Sequence, residues 1–249
     1  MTHLLIDGDQ FLFKATAAVE EEVRWDEDNH VLYSNREKAW ANLQGMINRI
    51  QERFDSEQST ICFSSYPCFR STVDATYKAG RSPRKPLCYV TLREQMEITY
   101  ECKAYVGLEA DDVMGILATH PKQGKGTIIV SQDKDMKTVP ATIWDGKDLI
   151  TYTEAEADYW HLYQTLIGDI TDGYKGCPGV GPKKAEALLT DPKFRKENWT
   201  LWDVVVKAYE SGKDKLTEEH ALTQARLARI LRWTDWDAKA KQPILWEPK

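Results

Sequence analysis

The chain has 249 residues, of which 42% are hydrophobic and 29% are charged, and its net charge is −6. This length suffices for one large domain, or for a medium domain with a smaller appendage, and the composition excludes a disordered or fibrous chain. The negative net charge argues mildly against nucleic acid as a partner, although the distribution of charge decides more than its sum.

The first predicted element is a buried strand from Leu4 to Asp7, and a long amphipathic helix from about Arg36 to Phe54 follows it. The apolar stripe of that helix consists of Ala39, Leu43, Met46, Ile47, Ile50 and Phe54. A second apolar run, from Thr60 to Ser64, predicts the next buried strand.

A polar segment from Tyr77 to Pro86 interrupts this rhythm, and its Pro, Gly and basic residues predict a surface loop or arch. Four cations fall within eight residues with no acid between them: Lys78, Arg81, Arg84 and Lys85. Because fixed cations attract a DNA backbone, the cluster is a candidate phosphate clamp. A solvated loop is the plainer interpretation when the segment is considered alone.

A helix beginning near Leu108 and two more strands, from Thr127 to Ser131 and from Thr142 to Asp145, complete the predicted sheet. Strands that alternate with helices indicate a parallel α/β sheet with flanking helices. We therefore expect an α/β domain over residues 1–165, with an arch near residues 66–101.

The strand signals stop at about Leu166, and helical segments are predicted near residues 199–209 and 218–233. Between them and the sheet lies a turn rich in Gly and Pro, from Tyr174 to Lys184. Its glycines permit close backbone approach, and a helix starting near Pro182 offers free N–H groups to a phosphate. We expect residues 166–249 to form a helical DNA-binding region, although plain helix–turn–helix packing is an equal alternative on spacing alone.

Acidic residues gather where the predicted strands end. Asp7 ends the first strand, and Asp133 and Asp135 follow the third; the functional crevice of parallel α/β folds lies at such ends. Glu109 and Asp112 are three residues apart, so a helix directs both to the same side. The candidate metal ligands are Asp7, Glu109, Asp111, Asp112, Asp133, Asp135, Asp169 and Asp172.

Eight converging carboxylates would repel one another strongly without cations. Hard divalent ions with oxygen ligands remove that repulsion, and Mg²⁺ is the default choice. Two such ions about 3.5–4 Å apart would clamp a phosphate for in-line displacement. Each signal alone is weak, since a lone Asp after a strand is usually a cap and acids at a helix start usually offset the helix dipole. Their joint occurrence favours a metal site.

The five cysteines are irregularly spaced and include no C-x-x-C pair, which favours a reducing compartment over a disulfide framework or a zinc finger. The start of the chain has no basic leader with an apolar block, and no apolar run approaches membrane-spanning length. We therefore expect a cytoplasmic protein. The histidines show no metal-type pairing, and no Ser-His-Asp arrangement or P-loop is visible.

The ordered segments IDGDQ, FRSTVDATYKAGR, LEADDV, SQDKDM and GDITDGYKGCPGVGPKKA resemble the 5′ nuclease superfamily, which includes flap endonucleases and the 5′-nuclease domain of bacterial DNA polymerase I. The segments LEADDVMG, GDITDGY, WHLYQT and QARLARILR resemble in particular the exonuclease branch of T-seven-like bacteriophages. For a phage-encoded protein, the expected location is the cytoplasm of the host.

The resemblance implies a two-metal phosphodiesterase with two Mg²⁺, for which Mn²⁺ can substitute, and with the eight acids as ligands. It implies that Lys78 and Arg81 contact the scissile phosphate, with Arg84 and Lys85 near the DNA. It also implies duplex DNA binding by the glycine-rich turn through Gly176, Gly179, Val180, Gly181, Lys183 and Lys184, and a K⁺ ion in that turn. The implied substrates are duplex DNA with 5′ ends, nicks, gaps or flaps and RNA–DNA hybrids, with replication proteins as further partners.

One departure concerns an acid that the family places after the second strand, where this chain has Phe63-Ser64-Ser65-Tyr66-Pro67. We expect water to complete the metal shell there, or a lower metal affinity. Arg70 in the F-R motif is a structural candidate, Asp9 matches no usual ligand, and Tyr77 either packs in the arch or stacks on a base.

Three functions remain open on the sequence. The first is a 5′→3′ exonuclease of phage DNA replication and host DNA breakdown, with a flap endonuclease using the same site as its close variant. An aspartate-nucleophile phosphatase would fit LLIDGD, but Gln10 and Phe11 lack the hydroxyl expected after it. A non-catalytic DNA-binding module is disfavoured, because unused carboxylates would repel DNA.

Overall fold

The computed structural model describes residues 2–81, 84–212, 214 and 216–248. The strands are β1 (His3–Asp7), β2 (Glu20–Arg24), β3 (His30–Ser34), β4 (Gln58–Cys62), β5 (Cys102–Lys103), β6 (Thr127–Val130), β7 (Thr142–Trp144), β8 (Leu149–Thr151), β9 (Trp236–Asp237) and β10 (Gln242–Pro243). The α-helices are α1 (Gly8–Ala17), α2 (Arg36–Arg53), α3 (Arg70–Val73), α4 (Tyr89–Thr99), α5 (Ala110–Ala118), α6 (Glu154–Ile167), α7 (Pro182–Thr190), α8 (Leu201–Ser211) and α9 (Glu218–Ala228). Short 3-10 helices cover Lys134–Thr138, Pro192–Phe194 and Trp233–Asp235.

The central sheet has six strands in the order β5-β4-β1-β6-β7-β8. The first five run parallel, and β8 pairs antiparallel with β7 at one edge. Leu4 and Ile6 of β1 pack on one face with α1, α2 and α4, whereas Leu5 packs on the other face with α5. Burial on both faces explains why the parallel strands read as continuous apolar runs in the sequence.

The predicted parallel α/β architecture is confirmed. The four predicted strands are β1, β4, β6 and β7, and α2 buries the predicted stripe residues Ala39, Leu43 and Ile47 completely. The β2–β3 hairpin and the antiparallel strand β8 were not predicted. Most side chains of that hairpin are exposed and all those of β8 are, so neither carries the apolar signal of a core strand.

The segment expected to form an arch contains two helices, α3 and α4, joined by turns through residues 74–81. Within the predicted loop from Tyr77 to Pro86, Ser82 and Pro83 lie outside the described residues. None of the described helices is long and apolar enough to cross a membrane.

The helices α6 to α9 pack around a separate apolar cluster that includes Leu166, Trp202 and Tyr209. The last predicted helix ends at Ala228, and the chain then returns to the sheet domain, where Ile230 and Leu231 pack against α5. A Cβ atom on Gly115 would lie 2.4 Å from the Leu231 carbonyl oxygen, so this close approach requires glycine in α5.

Candidate metal centre

Asp7 stands at the carboxyl end of β1, where the chain turns directly into α1. Its Oδ1 accepts a hydrogen bond from the Gln10 N–H at 3.0 Å, which caps α1, and its Oδ2 accepts from Ser131 Oγ at 3.1 Å. Burial raises the pKa of Asp7 to about 6; repulsion from Asp9 and Asp133 adds to this, and the two hydrogen bonds oppose it.

Asp133 and Asp135 follow β6, the strand beside β1, and reach the same edge of the sheet. Asp133 Oδ1 accepts from the Asp135 N–H at 2.8 Å and thereby caps a 3-10 helix. Burial and repulsion from Asp133 raise the pKa of Asp135 to about 6. The environment of Asp135 therefore disfavours its own negative charge.

Asp111 shows the strongest such effect. It lies in the first turn of α5, and its buried Oδ1 has no hydrogen-bond partner in the part of the chain that the structure describes. Burial and repulsion from Asp133 and Asp7 hold the pKa of Asp111 well above its usual value. A buried carboxylate oxygen without a partner is costly, so this oxygen fits the role of a ligand to a hard divalent cation.

Glu109 differs from these acids because cations of the protein already surround it. Lys78 Nζ lies 2.5 Å from Glu109 Oε1, and the buried Tyr77 hydroxyl donates to Glu109 Oε2 at 2.8 Å. Burial raises the pKa of Glu109, but attraction to Arg70 and Lys78 outweighs it, and the pKa lies below its usual value. Tyr77 therefore packs in the wall of the site.

Asp172 closes the opposite side of the same site. Lys78 Nζ lies 3.5 Å from Asp172 Oδ2, and Arg81 donates to Asp172 Oδ1. The Lys78 ammonium thus bridges Glu109 and Asp172, and both predicted phosphate-contacting cations lie among the acids. Burial lowers the pKa of Lys78, but Glu109 and Asp172 raise it more, so Lys78 remains charged.

Asp112 is directed away from this group. Its carboxylate is fully buried and forms a two-pronged ion pair with Arg70, with both N–O distances at 2.7 Å. Oδ1 also accepts from the Leu231 N–H at 3.1 Å, and Oδ2 accepts from the Glu109 N–H at 3.2 Å. Although Cys68, Glu109 and Asp112 are close enough to share a metal, Arg70 hydrogen-bonds to all three and supplies the positive charge there.

Asp169 is also set apart from the central acids. Its Oδ2 accepts from Lys134 Nζ at 2.7 Å, and its Oδ1 accepts from the Thr171 and Asp172 N–H groups. Burial raises the pKa of Asp169, but Lys134 outweighs it and the net shift is downward. The predicted metal roles of Asp112 and Asp169 remain predictions, and neither side chain lines the central cavity.

The remaining predicted groups share one cavity of about 410 Å³. The predicted acids and cations that line it are Asp7, Glu109, Asp111, Asp133, Asp135, Asp172, Lys78, Arg81, Arg84 and Lys85. Arg84 pairs with Glu20 at 2.5 Å, and Lys85 lies 4.9 Å from the ring centre of Tyr89. The acids of this cavity suit hard divalent ions, and its lysines and arginines suit a phosphate.

Asp9 is a cavity residue whose position the sequence did not reveal. Its Oδ2 accepts from the Ser64 N–H at 2.8 Å, and its Oδ1 accepts from the Tyr89 hydroxyl at 2.8 Å. A carboxylate from α1 therefore stands beside Ser64, in the stretch where the expected family acid is missing. The D-x-D spacing of Asp7 and Asp9 at a strand end was the available signal.

The glycine-rich turn presents some of its predicted DNA-binding residues and buries others. Gly179, Gly181, Lys183 and Lys184 are exposed. Val180 is buried in the helical core, and its N–H donates to the Cys177 carbonyl. The N–H of Gly176 donates to Gln224 Oε1 at 2.8 Å, so neither group offers a free N–H to a phosphate. Lys184 Nζ donates to the Gly179 carbonyl at 3.3 Å.

Comparisons with known proteins show what the chain is similar to. Residues 2–159 match the family described as 5′-3′ exonuclease, N-terminal resolvase-like domain. The exodeoxyribonuclease of Enterobacteria phage T3 is 32% identical, covering 99% of this chain and 93% of its own. The exonuclease of Escherichia phage T7 is 31% identical, covering 98% and 93%.

A solved structure shares the fold. The flap endonuclease of bacteriophage T5, in a complex with DNA and metal ions, superposes with a TM-score of 0.62 at 14% identity, covering 92% of this chain and 89% of its own. At this identity the likeness concerns the fold alone.

Proposed function

The chain belongs to the 5′-3′ exonuclease family and is an enzyme of that class, and from this premise we propose that it hydrolyses phosphodiester bonds of duplex DNA from 5′ ends, nicks or gaps with two Mg²⁺ ions. Its phage relatives are named exodeoxyribonuclease and exonuclease. A role in phage DNA replication and in breakdown of host DNA is consistent with that similarity.

The observation that carries the proposal is the uncompensated charge around Asp111. Its orphan Oδ1 and the raised pKa values of Asp7 and Asp111 describe carboxylates that lack an ion-pair partner among the described residues, whereas Asp135, whose pKa is also raised, has Lys134 Nζ at 3.6 Å. Bound Mg²⁺ would supply the counter-charge, polarise the scissile phosphate and lower the pKa of a bound water. The proposed ligands are the cavity acids together with Asp169, whose lysine partner would have to move.

Lys78 and Arg81 are the groups that we assign to the phosphate. Both cations lie in the cavity wall, and neither is bound to the orphan acid Asp111. A fixed ammonium and a guanidinium at this position would stabilise charge that develops on phosphate oxygens. The basic segment therefore acts as a clamp.

The exposed part of the glycine-rich turn is the proposed contact to the duplex backbone. Lys183 and Lys184 lie in the first turn of α7, where the helix dipole and the side-chain cations favour an anion. Replacing both lysines with Gln should flatten the salt dependence of duplex affinity by a slope of roughly 1 to 2. Fluorescence anisotropy across a salt series measures that slope, and an unaltered slope removes these lysines from the interface.

One gel experiment tests the proposed function. Duplexes labelled at the 5′ or the 3′ end, with blunt, nicked and flapped ends and an RNA–DNA arm, are incubated with and without Mg²⁺. We expect Mg²⁺-dependent release of short 5′-labelled products and progressive shortening of 3′-labelled strands. Cleavage only at flaps would assign a flap endonuclease, and DNA binding without cleavage in Mg²⁺ or Mn²⁺ would contradict the proposal.

A further inference from the structure

A second cavity of about 460 Å³ lies between α1, α2 and the carboxyl ends of β6 and β7. We call it the α1–α2 cavity, and it adjoins the acid-lined cavity, because Gln10 and Lys14 line both. We propose that it binds one nucleotide of a single DNA strand beside the scissile phosphate, an inference that rests on the proposed nuclease function and deepens it.

Part of the lining of the α1–α2 cavity is apolar and can contact a base. Phe11 from α1 and the half-buried Met46 and Ile50 from α2 line it, together with Trp144 at the end of β7. The Arg53 guanidinium carbon lies 4.0 Å from the Trp144 ring centre. The exposed Arg53 guanidinium extends this stack, and bases stack on arginine planes as they do on aromatic rings.

The rim of the cavity is cationic. Lys14 Nζ donates to the neutral amide oxygens of Gln132 at 2.5 Å and Gln10 at 3.3 Å. The cavity also contains Arg49 and Arg53. Among the residues that the structure describes, none of these three cations forms an ion pair with a carboxylate. In a chain with a net charge of −6, three unpaired cations around one cavity indicate an anionic ligand.

The combination narrows the ligand to a nucleotide. A free phosphate would make no use of the apolar surface, and an apolar molecule would leave the cations unused. The volume suits a small ligand of nucleotide size. Because Gln10 and Lys14 line both cavities, this nucleotide would lie next to the proposed metal ligands.

The test is equilibrium binding to the full chain by calorimetry in EDTA, where metal bound to the acids cannot contribute. The probes are dAMP, deoxyribose 5-phosphate, and a 5′-phosphorylated single-stranded tetranucleotide. We expect dAMP to bind at least tenfold more tightly than deoxyribose 5-phosphate, and Arg49→Gln to weaken dAMP about tenfold, because a charged hydrogen bond is lost. Lys38→Gln, an exposed cation on the same helix outside the cavity, is the matched control and should change nothing.

The outcomes separate the sources of the nucleotide. If Arg49→Gln weakens the tetranucleotide as well, the site holds a residue within a strand; if it weakens dAMP alone, the site holds the released product. Equal dAMP affinity in wild type and Arg49→Gln, or equal affinity for both monophosphates, overturns the proposal. Because cleavage requires metal, a failed nuclease assay and a failed binding assay are read independently.

Discussion

Two neighbouring aspartates in the first turn of α5 meet opposite environments. Asp112 is buried against Arg70 and accepts from the Leu231 and Glu109 N–H groups, so its charge is fully compensated inside the protein. Asp111 faces Asp7 and Asp133 with an orphan oxygen and a raised pKa. Arg70 thus neutralises Asp112 within the protein, whereas a cation bound from solution would have to neutralise Asp111.

This difference separates a structural ion pair from a functional site. A buried carboxylate with a bidentate arginine fixes geometry, because removing either partner strands a charge in the interior. A group of like charges that destabilises the metal-free protein can be relieved when cations bind. The four predictions below test this division, beginning with the largest expected effect.

Removing the internal cation should damage folding. Arg70→Met leaves Asp112 buried without a charge partner, and we expect unfolding free energy to fall by about 3–5 kcal/mol. Chemical denaturation followed by circular dichroism measures this loss. The matched double variant Arg70→Met/Asp112→Leu should recover part of it, and a single variant as stable as wild type would contradict the assigned role.

Neutralising Asp111 should lower the rate of cleavage rather than the stability of the fold. Asp111→Asn removes a proposed metal ligand, and we expect the single-turnover cleavage rate in Mg²⁺ to fall at least ~100-fold. Duplex affinity should persist, since the variant leaves the proposed DNA-binding lysines Lys183 and Lys184 unchanged. Normal cleavage by this variant would show that Asp111 holds no metal needed for the reaction.

Lys78 contacts two acids of the cavity: Glu109, which also pairs with Arg70, and Asp172, which also pairs with Arg81. We expect Lys78→Ala to slow the single-turnover rate about tenfold, which corresponds to ~1.4 kcal/mol of lost transition-state stabilisation. Lys78→Arg, which keeps the charge, should recover most of the rate. If Lys78→Ala changes only duplex affinity, the lysine binds DNA without acting on the scissile phosphate.

The smallest effect concerns metal-free stability. Asp7 has a folded pKa of about 6 against an ordinary value of 3.8, so its contribution is present below pH 3.8 and lost as pH rises through 6. Burial and repulsion from Asp133 and Asp7 raise the pKa of Asp111 as well, so Asp111→Asn should raise the melting temperature of the EDTA-treated protein at pH 7.5. Thermal unfolding in EDTA between pH 5 and 8 tests this; a wild-type melting temperature independent of pH would contradict it.

The sequence predicted what local patterns encode. Apolar runs identified the four central parallel strands, and acids directly after two of them, Asp7 and Asp133, were predicted to lie at one edge. Helical spacing predicted that Glu109 and Asp112 point to the same side; both contact Arg70, but only Glu109 lines the acid-lined cavity. Their different environments could not be predicted, because helical spacing gives direction but says nothing of what lies opposite.

The unpredicted features depend on contacts that are distant in sequence. Arg70 donates to the carbonyl oxygens of Leu227 and Arg229, and Asp112 accepts from Leu231, more than one hundred residues away. No periodicity within α5 signals these partners. The α1–α2 cavity escaped notice for the same reason, since Arg49 and Trp144 belong to separate elements.

The return of the chain past α9 makes the nuclease fold depend on its final segment. The Leu231 backbone lies over Gly115 and donates to Asp112, so a fragment ending before residue 229 would lose part of the lid over α5. During translation, these contacts form only after Leu231 has left the ribosome. The candidate metal centre is therefore completed late in synthesis. A chain that ends before Leu231 lacks the contacts of this residue with Asp112 and Gly115.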